Sequence, residues 1–239
     1  MSISSSKTTN PAKRFIEWQG GEGFFYYYDK EKQEKVKLPK KFQIIALDEL
    51  ATIKGFDERA NSGIYSNEVR DTTKDTLTVK NFKGDQIAEG IYQSIKGDII
   101  SAGGKYCKSI YGVMVDKKGV GDLVQISIKG SALGPFIDAS IRIDDGCVIT
   151  FGVNPEEKKK GKTVYYEPTY EAKVLPEGDY RESAISINDT ILQPYLDEYL
   201  GAAKEAPKAD APEPLIREPQ PHGIPEPTVL EEDDDDLPF

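Results

Sequence analysis

Five consecutive aromatic residues, Phe24 to Tyr28, form the first stretch of this chain that could do specific chemistry. Aromatic runs favour β-strands, and successive side chains of a strand point to opposite faces. Phe24, Tyr26 and Tyr28 therefore share one face, and a core explains only one aromatic face of such a strand. Stacking of the other face on nucleic-acid bases is one explanation. A strand that is buried on both sides, or at an interface, is the alternative.

Lysines and further aromatic residues accompany this run. Ammonium groups pair with phosphates and aromatic rings stack on any base, so together they can hold a single strand without reading its sequence. The residues predicted to bind single-stranded DNA are Trp18, Phe24, Tyr26, Tyr28, Tyr65, Tyr106 and Tyr111, with Lys35, Lys37, Lys80, Lys83, Lys105 and Lys108. Taken singly, each of them is also explained as a core or ordinary surface residue.

The end of the chain is an acidic run, Glu231 to Asp236, followed by Leu-Pro-Phe. Phe239 can fill a small apolar pocket while its carboxylate pairs with a cation at the pocket's rim. A solvated tail is the alternative, although such a tail needs no apolar end. The predicted partner-binding residues are Asp233, Asp234, Asp235, Asp236, Leu237, Pro238 and Phe239.

This ending closely resembles the C-terminal tip of bacterial single-stranded DNA-binding proteins, an Asp-rich run that closes on Pro-Phe. Many phage single-stranded DNA-binding proteins also end in an acidic run with a terminal Phe. The resemblance implies an OB-fold body and a tip that recruits replication and repair proteins such as a polymerase, helicase or recombinase. The larger body and the Pro-rich tail are closer to the phage proteins, which implies a monomer or homodimer. It also implies a cytoplasmic location, in a bacterial host if the protein is phage-encoded.

Histidine chemistry is excluded from the predicted body, because the only histidine is His222 in a Pro-rich stretch. This excludes Ser-His-Asp and Cys-His catalysis and His-ligated zinc. We expect no enzymatic activity, no cofactor and no metal site. Cys107 and Cys147 lie among apolar residues and are expected to be reduced and buried. No apolar stretch approaches the length of a membrane span.

The net charge of −10 is concentrated at one end of the chain. Residues 201–239 carry 3 basic and 11 acidic residues, which leaves 28 basic and 30 acidic residues in residues 1–200. The body is therefore nearly neutral and can present a basic face to DNA.

The elements that must position these residues are mostly short strands. Strands are predicted at 24–28, 42–47, 62–70, 76–83, 105–115, 123–129, 147–151 and 163–166, and helices at 86–100, 131–140 and 183–200. Residues 48–75 are expected to be mostly loop. The pattern is typical of a mainly β, five-stranded OB-type barrel with extra loops and one or two helices. A generic β-barrel or β-sandwich is the alternative.

Three regions follow from composition. Residues 1–13 are expected to be disordered, residues 14–200 to form the OB-type domain, and residues 201–239 to form a disordered tether with 8 of the 15 prolines. The hypothesis is a non-enzymatic protein that protects single-stranded DNA in replication, recombination and repair. A DNA-annealing or recombination mediator, and a replisome interaction adaptor that does not bind DNA, stay open.

Removal of residues 231–239 is predicted to tighten binding to single-stranded DNA, because a tethered anionic segment competes with DNA for a basic surface. The effect should be largest at low salt. The measurement is a titration of the full and truncated chains with an oligo-dT. Affinities that agree to an order of magnitude at about 20–50 mM salt would count against this competition.

Overall fold

The computed structural model describes residues 9–116, 119–143 and 146–205, and most of its regular structure is β-strand. The expectation of a mainly β chain is confirmed. The predicted disordered tail from residue 206 onward, with the tip Asp233–Phe239, lies outside the described residues. So do residues 1–8 of the predicted disordered N-terminus.

The strands are β1 (Arg14–Gln19), β2 (Phe24–Asp29), β3 (Glu34–Lys37), β4 (Phe42–Asp57), β5 (Ser62–Ser66), β6 (Leu77–Asn81), β7 (Gln86–Gly90), β8 (Gly104–Asp116), β9 (Gly119–Lys129), β10 (Cys147–Val153), β11 (Lys158–Lys160), β12 (Thr163–Tyr165) and β13 (Pro168–Val174). The helices are α1 (Tyr92–Ser101), α2 (Leu133–Asp138), α3 (Asp179–Ile187) and α4 (Gln193–Glu205). A 3-10 turn (Gly130–Ala132) precedes α2, and a π-helical turn (Asn188–Leu192) joins α3 to α4. None of the described helices is both long and apolar enough to cross a membrane.

The 16-residue strand β4 is the centre of the sheet. One of its edges pairs with β8 along almost the whole length. The other edge is shared, because β10 pairs with its first five residues and β5 with its last four. The main sheet runs β3-β2-β1-β9-β8-β4-β5-β6-β7, with β10 and β13 as a branch, and β1 and β9 are parallel. This sheet of 11 strands is larger than the expected five-stranded barrel, and its described strand order is open.

Three apolar clusters lie against the two faces of the sheet. The first contains α2 and the side chains that point to it from β1, β2, β4, β8, β9 and β10, and we call this side of the sheet the inner face and the opposite side the outer face. The second lies where α3 and α4 cover one end of the outer face. The third lies between α1 and strands β4 to β7. The described helices therefore cover part of each face, and they leave the rest of the outer face uncovered.

The ordered body begins before Arg14. The side-chain amide of Asn10 donates to the Tyr111 hydroxyl over 3.0 Å, Ala12 is buried, and the backbone N–H of Lys13 donates to the carbonyl of Leu123. Residues 9–13 are thus tied to the sheet, although their Ser/Thr/Lys-rich composition predicts disorder. At the other end, α4 continues to Glu205, past the expected boundary at residue 200.

Two expected elements differ in the structure. The helix predicted from Gln86 is a strand, β7, up to Gly90, and α1 begins only at Tyr92. Gly90 has φ +153°, which no helix allows, and Ala88 pairs with Val79 of β6. The four-residue spacing of Ile87, Ile91 and Ile95 therefore does not mark one helix, because Ile87 belongs to β7 and Ile95 to α1.

The predicted loop after residue 47 is the second half of β4. Two acidic residues, Asp48 and Glu49, lie in the middle of this strand, and both have cationic partners. Arg70 donates to both carboxylate oxygens of Asp48 at 2.8 Å, and Lys108 pairs with Glu49. Gln193 of α4 adds a hydrogen bond to Asp48. A β-bulge lies between Ala46 and Asp48 and the strand continues past it.

Replacement of Arg70 by Gln is predicted to lower the free energy of unfolding by about 1–3 kcal/mol, because the nearly buried Asp48 loses its bidentate partner. Urea denaturation measures this. Arg14→Gln is the matched control, because the two Arg side chains are 46% and 37% exposed while Asp48 is 11% exposed and the Asp122 partner of Arg14 is 49% exposed. The control should lose less than about 1 kcal/mol. Equal losses would contradict a special role for the Asp48 pair.

Candidate nucleic-acid interface

The part of the outer face that α3 and α4 leave uncovered presents lysines and aromatic rings. Residues directly opposite each other on paired strands share a face. The register places Lys37 opposite Tyr26 and Lys35 opposite Tyr28, and it places Lys54 opposite both Lys105 and Tyr65. We call this surface the lysine–aromatic face; it consists of Phe24, Tyr26, Tyr28, Lys35, Lys37, Lys54, Tyr65, Lys80, Phe82, Lys105 and Lys129.

On β2 and β3, lysine ammonium groups lie over aromatic rings. The Nζ of Lys37 is 3.8 Å from the centre of the Phe24 ring, and the Nζ of Lys35 is 4.6 Å from that of Tyr26. These are cation–π distances, so each lysine is already positioned beside a ring. Tyr28 is 54% exposed at the end of this row.

The phenol of Tyr26 connects this row to the next strand. Its hydroxyl donates to a carboxylate oxygen of Glu17 over 3.1 Å. Burial, and then the Glu17 charge, raise the pKa of Tyr26 to about 12, so the hydroxyl stays protonated at neutral pH. The second oxygen of Glu17 lies 3.5 Å from the Nζ of Lys129 on β9. Glu17 therefore compensates part of the positive charge at this point.

In the middle of the face, a side-chain hydrogen bond connects β4 to β9 across β8. The Nζ of Lys54 on β4 donates to the Ser127 hydroxyl on β9 over 2.6 Å, and it does so next to Cys107 of the strand between them. Cys107 is fully buried although its strand position is on this face. Burial raises the pKa of its thiol to about 11, so the thiol is neutral and unreactive at physiological pH.

On β5 and β6 the face ends in an exposed aromatic pair. The rings of Tyr65 and Phe82 are stacked, with centres 5.4 Å apart and planes 28° apart. Tyr65 is 40% exposed and Phe82 is 74% exposed. Gly63 allows this arrangement, because a Cβ there would stand 2.3 Å from the Phe82 ring. Lys80 lies opposite Tyr65 in the register, next to the pair.

Lys83 lies beside this pair without belonging to a strand. It follows Phe82 in the turn before β7, and its Nζ donates to the carbonyl oxygen of Ala60. Eight further predicted residues lie on the lysine–aromatic face: Phe24, Tyr26, Tyr28, Lys35, Lys37, Tyr65, Lys80 and Lys105. The structure thus brings together most of the predicted set.

Trp18 and Tyr111 are corrected, because both are core residues. Trp18 is 8% exposed, packs on Phe25 of the inner face and donates from Nε1 to the Ser131 hydroxyl over 3.1 Å. Tyr111 has no exposed surface and donates its hydroxyl to Glu68 over 2.6 Å. Burial raises the pKa of Tyr111 far above the usual range. Neither ring can reach a base.

Tyr106 and Lys108 are corrected for a different reason, which is that they point to the opposite face. The ring of Tyr106 lies 5.2 Å from that of Tyr92 on α1, and burial raises its pKa to about 12. Lys108 forms the ion pair with Glu49. Both side chains belong to β8, where Lys105 and Cys107 take the outer positions.

Three residues of this surface do not belong to the predicted set: Lys54, Lys129 and Phe82. Lys54 was assigned to a loop, so its alternation with buried Ile53 carried no weight. Lys129 closes a strand whose alternate residues Ile126 and Ile128 are buried, and this pattern could have placed it on the outer face. Phe82 was assigned to a strand but not to a site.

Comparison of the chain with protein-family models, with curated proteins and with solved structures gives no match. The chemistry of the site therefore rests on its geometry. The lysine–aromatic face extends over eight neighbouring strands from β3 to β6, which is about 34 Å at roughly 4.8 Å per strand. Exposed rings at its two ends and lysines between them can hold an extended, anionic, ring-bearing polymer.

Proposed function

We propose that this protein binds single-stranded DNA with little sequence preference and protects it during replication, recombination and repair. One observation carries the proposal: aromatic rings lie at the two ends of one sheet face, and lysine ammonium groups lie beside and between them. Bases stack on exposed rings in any sequence, and lysines pair with phosphates as point charges. The face offers no arginine fork for reading base edges among the residues that define it, which fits non-specific binding.

An OB-type barrel for the body is part of the proposal. Its support is the first apolar cluster, which gathers inward-facing side chains from β1, β2, β4, β8, β9 and β10 around one core. A sheet that curves around a single core places its outward residues on a convex surface. OB-folds bind single strands beside such sheets through aromatic residues and a basic groove.

Recruitment of partners by the acidic tip completes the proposal. The sequence of residues 231–239 supports it, through the resemblance to the acidic tip of single-stranded DNA-binding proteins. A polymerase, helicase or recombinase is the kind of partner that the resemblance implies. The protein acts in this proposal without catalysis, as a coat on DNA and a tether for enzymes.

The aromatic pair provides the sharpest test of the DNA interface. The double variant Tyr65→Ala/Phe82→Ala is predicted to weaken binding of a labelled oligo-dT of about 30 nucleotides by tenfold or more, because each stacked base contributes roughly 1–3 kcal/mol. Fluorescence anisotropy of the labelled DNA measures it; the buried Trp18 is a poor reporter for this purpose.

Tyr180→Ala is the matched control for this test, because Tyr180 is 43% exposed on α3 and Tyr65 is 40% exposed. The control should bind within about twofold of the unmodified chain, since no stacked base is lost. Equal affinity of the double variant and the unmodified chain would remove this face from the proposal. Failure of the unmodified chain to bind DNA at all would favour the interaction adaptor.

The lysines are tested by the salt dependence of binding. Each phosphate contact on a single strand contributes about −0.7 to the slope of log K against log salt. Lys54→Ala/Lys105→Ala is therefore predicted to make the slope shallower by about 1.4. Lys96→Ala on α1, which covers the opposite face, should leave the slope unchanged. Identical slopes for all three proteins would show that these lysines do not contact phosphate.

A further inference from the structure

Three strands of the main sheet have only one partner strand in the part of the chain that the structure describes. They are β3 at one end of the order, β7 at the other end, and β13 at the end of the branch. An open edge presents unpaired backbone N–H and C=O groups, which can pair with another strand. The side chains along each edge decide which strand fits.

The β13 edge is unusually exposed. Glu171, Ala172, Lys173 and Val174 are all exposed, and Val174, at 78%, is the most exposed large hydrophobic side chain among the described residues. The strand is otherwise well fixed, because seven of its residues pair with β10 and the Tyr170 hydroxyl donates to the carbonyl of Ala132. An apolar side chain on a rigid, open edge indicates an interaction surface.

We propose that β13 pairs with β13 of a second copy of this chain, antiparallel and centred on Ala172. In this register Glu171 lies opposite Lys173 of the second copy, and the symmetry repeats the pair. Tyr170 lies opposite Val174 of the second copy in the same way. Opposite charges and aromatic–β-branched pairs are both favourable cross-strand neighbours. The same strand is thus complementary to itself in charge and in shape.

The other two edges lack this self-complementarity. Antiparallel self-pairing of β3 around Val36 would place Lys35 opposite Lys37, which is a repulsive pair. Self-pairing of β7 around Ala88 would place Ile87 opposite Glu89, which gains nothing. The charge pattern therefore selects β13 as the edge for a second copy.

The geometry of this pairing has a consequence for the sheet. An antiparallel pair of identical edges has its two-fold axis perpendicular to the sheet, so the same face of both copies points to the same side. Glu171 and Lys173 lie on the outer face, because they alternate with Tyr170, which packs on Phe151 of the inner core. The dimer therefore presents both outer faces in one direction.

Charge reversal tests the pairing without DNA, so its outcome is independent of the proposed DNA binding. Sedimentation of the full chain over a concentration series should show a monomer–dimer equilibrium. Lys173→Glu should raise the dimer dissociation constant about tenfold or more, because Glu171 would then face a glutamate. The swap Glu171→Lys/Lys173→Glu should restore the dimer. Lys96→Glu changes the net charge equally and should have no effect.

A cysteine at the symmetry centre gives a second measurement. Residues at the centre of such a pair have Cα atoms about 4.5–5.5 Å apart, within the range of a disulfide. Ala172→Cys should form a disulfide-linked dimer under mild oxidation, while Glu182→Cys on α3 should stay mostly monomeric. The two natural cysteines are buried and should not compete.

A chain that stays monomeric up to about 100 µM, where even a weak interface would assemble, overturns the proposal. A dimer that Lys173→Glu does not weaken overturns it as well, because the interface then lies elsewhere. Loss of the dimer in both Lys173→Glu and the charge swap would overturn the proposed register, because the swap restores the opposite charges of that register.

Discussion

The fold depends on β4 remaining one strand across its charged middle. Asp48 and Glu49 would end or expose a strand if they were left alone, because burial of an unpaired carboxylate is very costly. Arg70 and Lys108 neutralise them, and Gln193 adds a hydrogen bond from the C-terminal helix. Because β10 and β5 share one edge of this strand, its continuity joins the strands around the first apolar cluster to the part of the sheet covered by α1.

The side chains of the sheet divide between two faces, one that forms apolar clusters and one that carries the candidate interface. The inner positions of the strands supply the first and third apolar clusters. The outer positions divide into an end covered by α3 and α4 and an open end with lysines and rings. One strand therefore contributes both to stability and to the candidate interface: in β4, Ile53 is fully buried, whereas Lys54 reaches Ser127 on the outer face.

Local sequence patterns predict strands and the alternation of their side chains. They do not show which side chains are buried by elements that lie far away in the sequence. The alternation of β2 is as predicted, with Phe25 in the core and Tyr28 exposed. Tyr111 was assigned to the site because nothing near it in sequence shows that Asn10, Glu68 and α4 meet over it. The second half of β4 belongs to the segment predicted as loop from its Asp, Asn, Ser and Gly residues, and the residues that pair with Asp48 and Glu49 lie 22 and 59 positions away in the sequence. Burial of an aromatic residue is decided by such distant elements.

The lysines that lie over Phe24 and Tyr26 imply an exchange of partners. In the free protein each ammonium group occupies the ring face that a base would need, so the ring is shielded from other hydrophobic surfaces. Under the proposed function, a base that stacks on the covered side of either ring would have to displace the ammonium group. Ring and cation would act as one two-position element: closed without DNA, open with it.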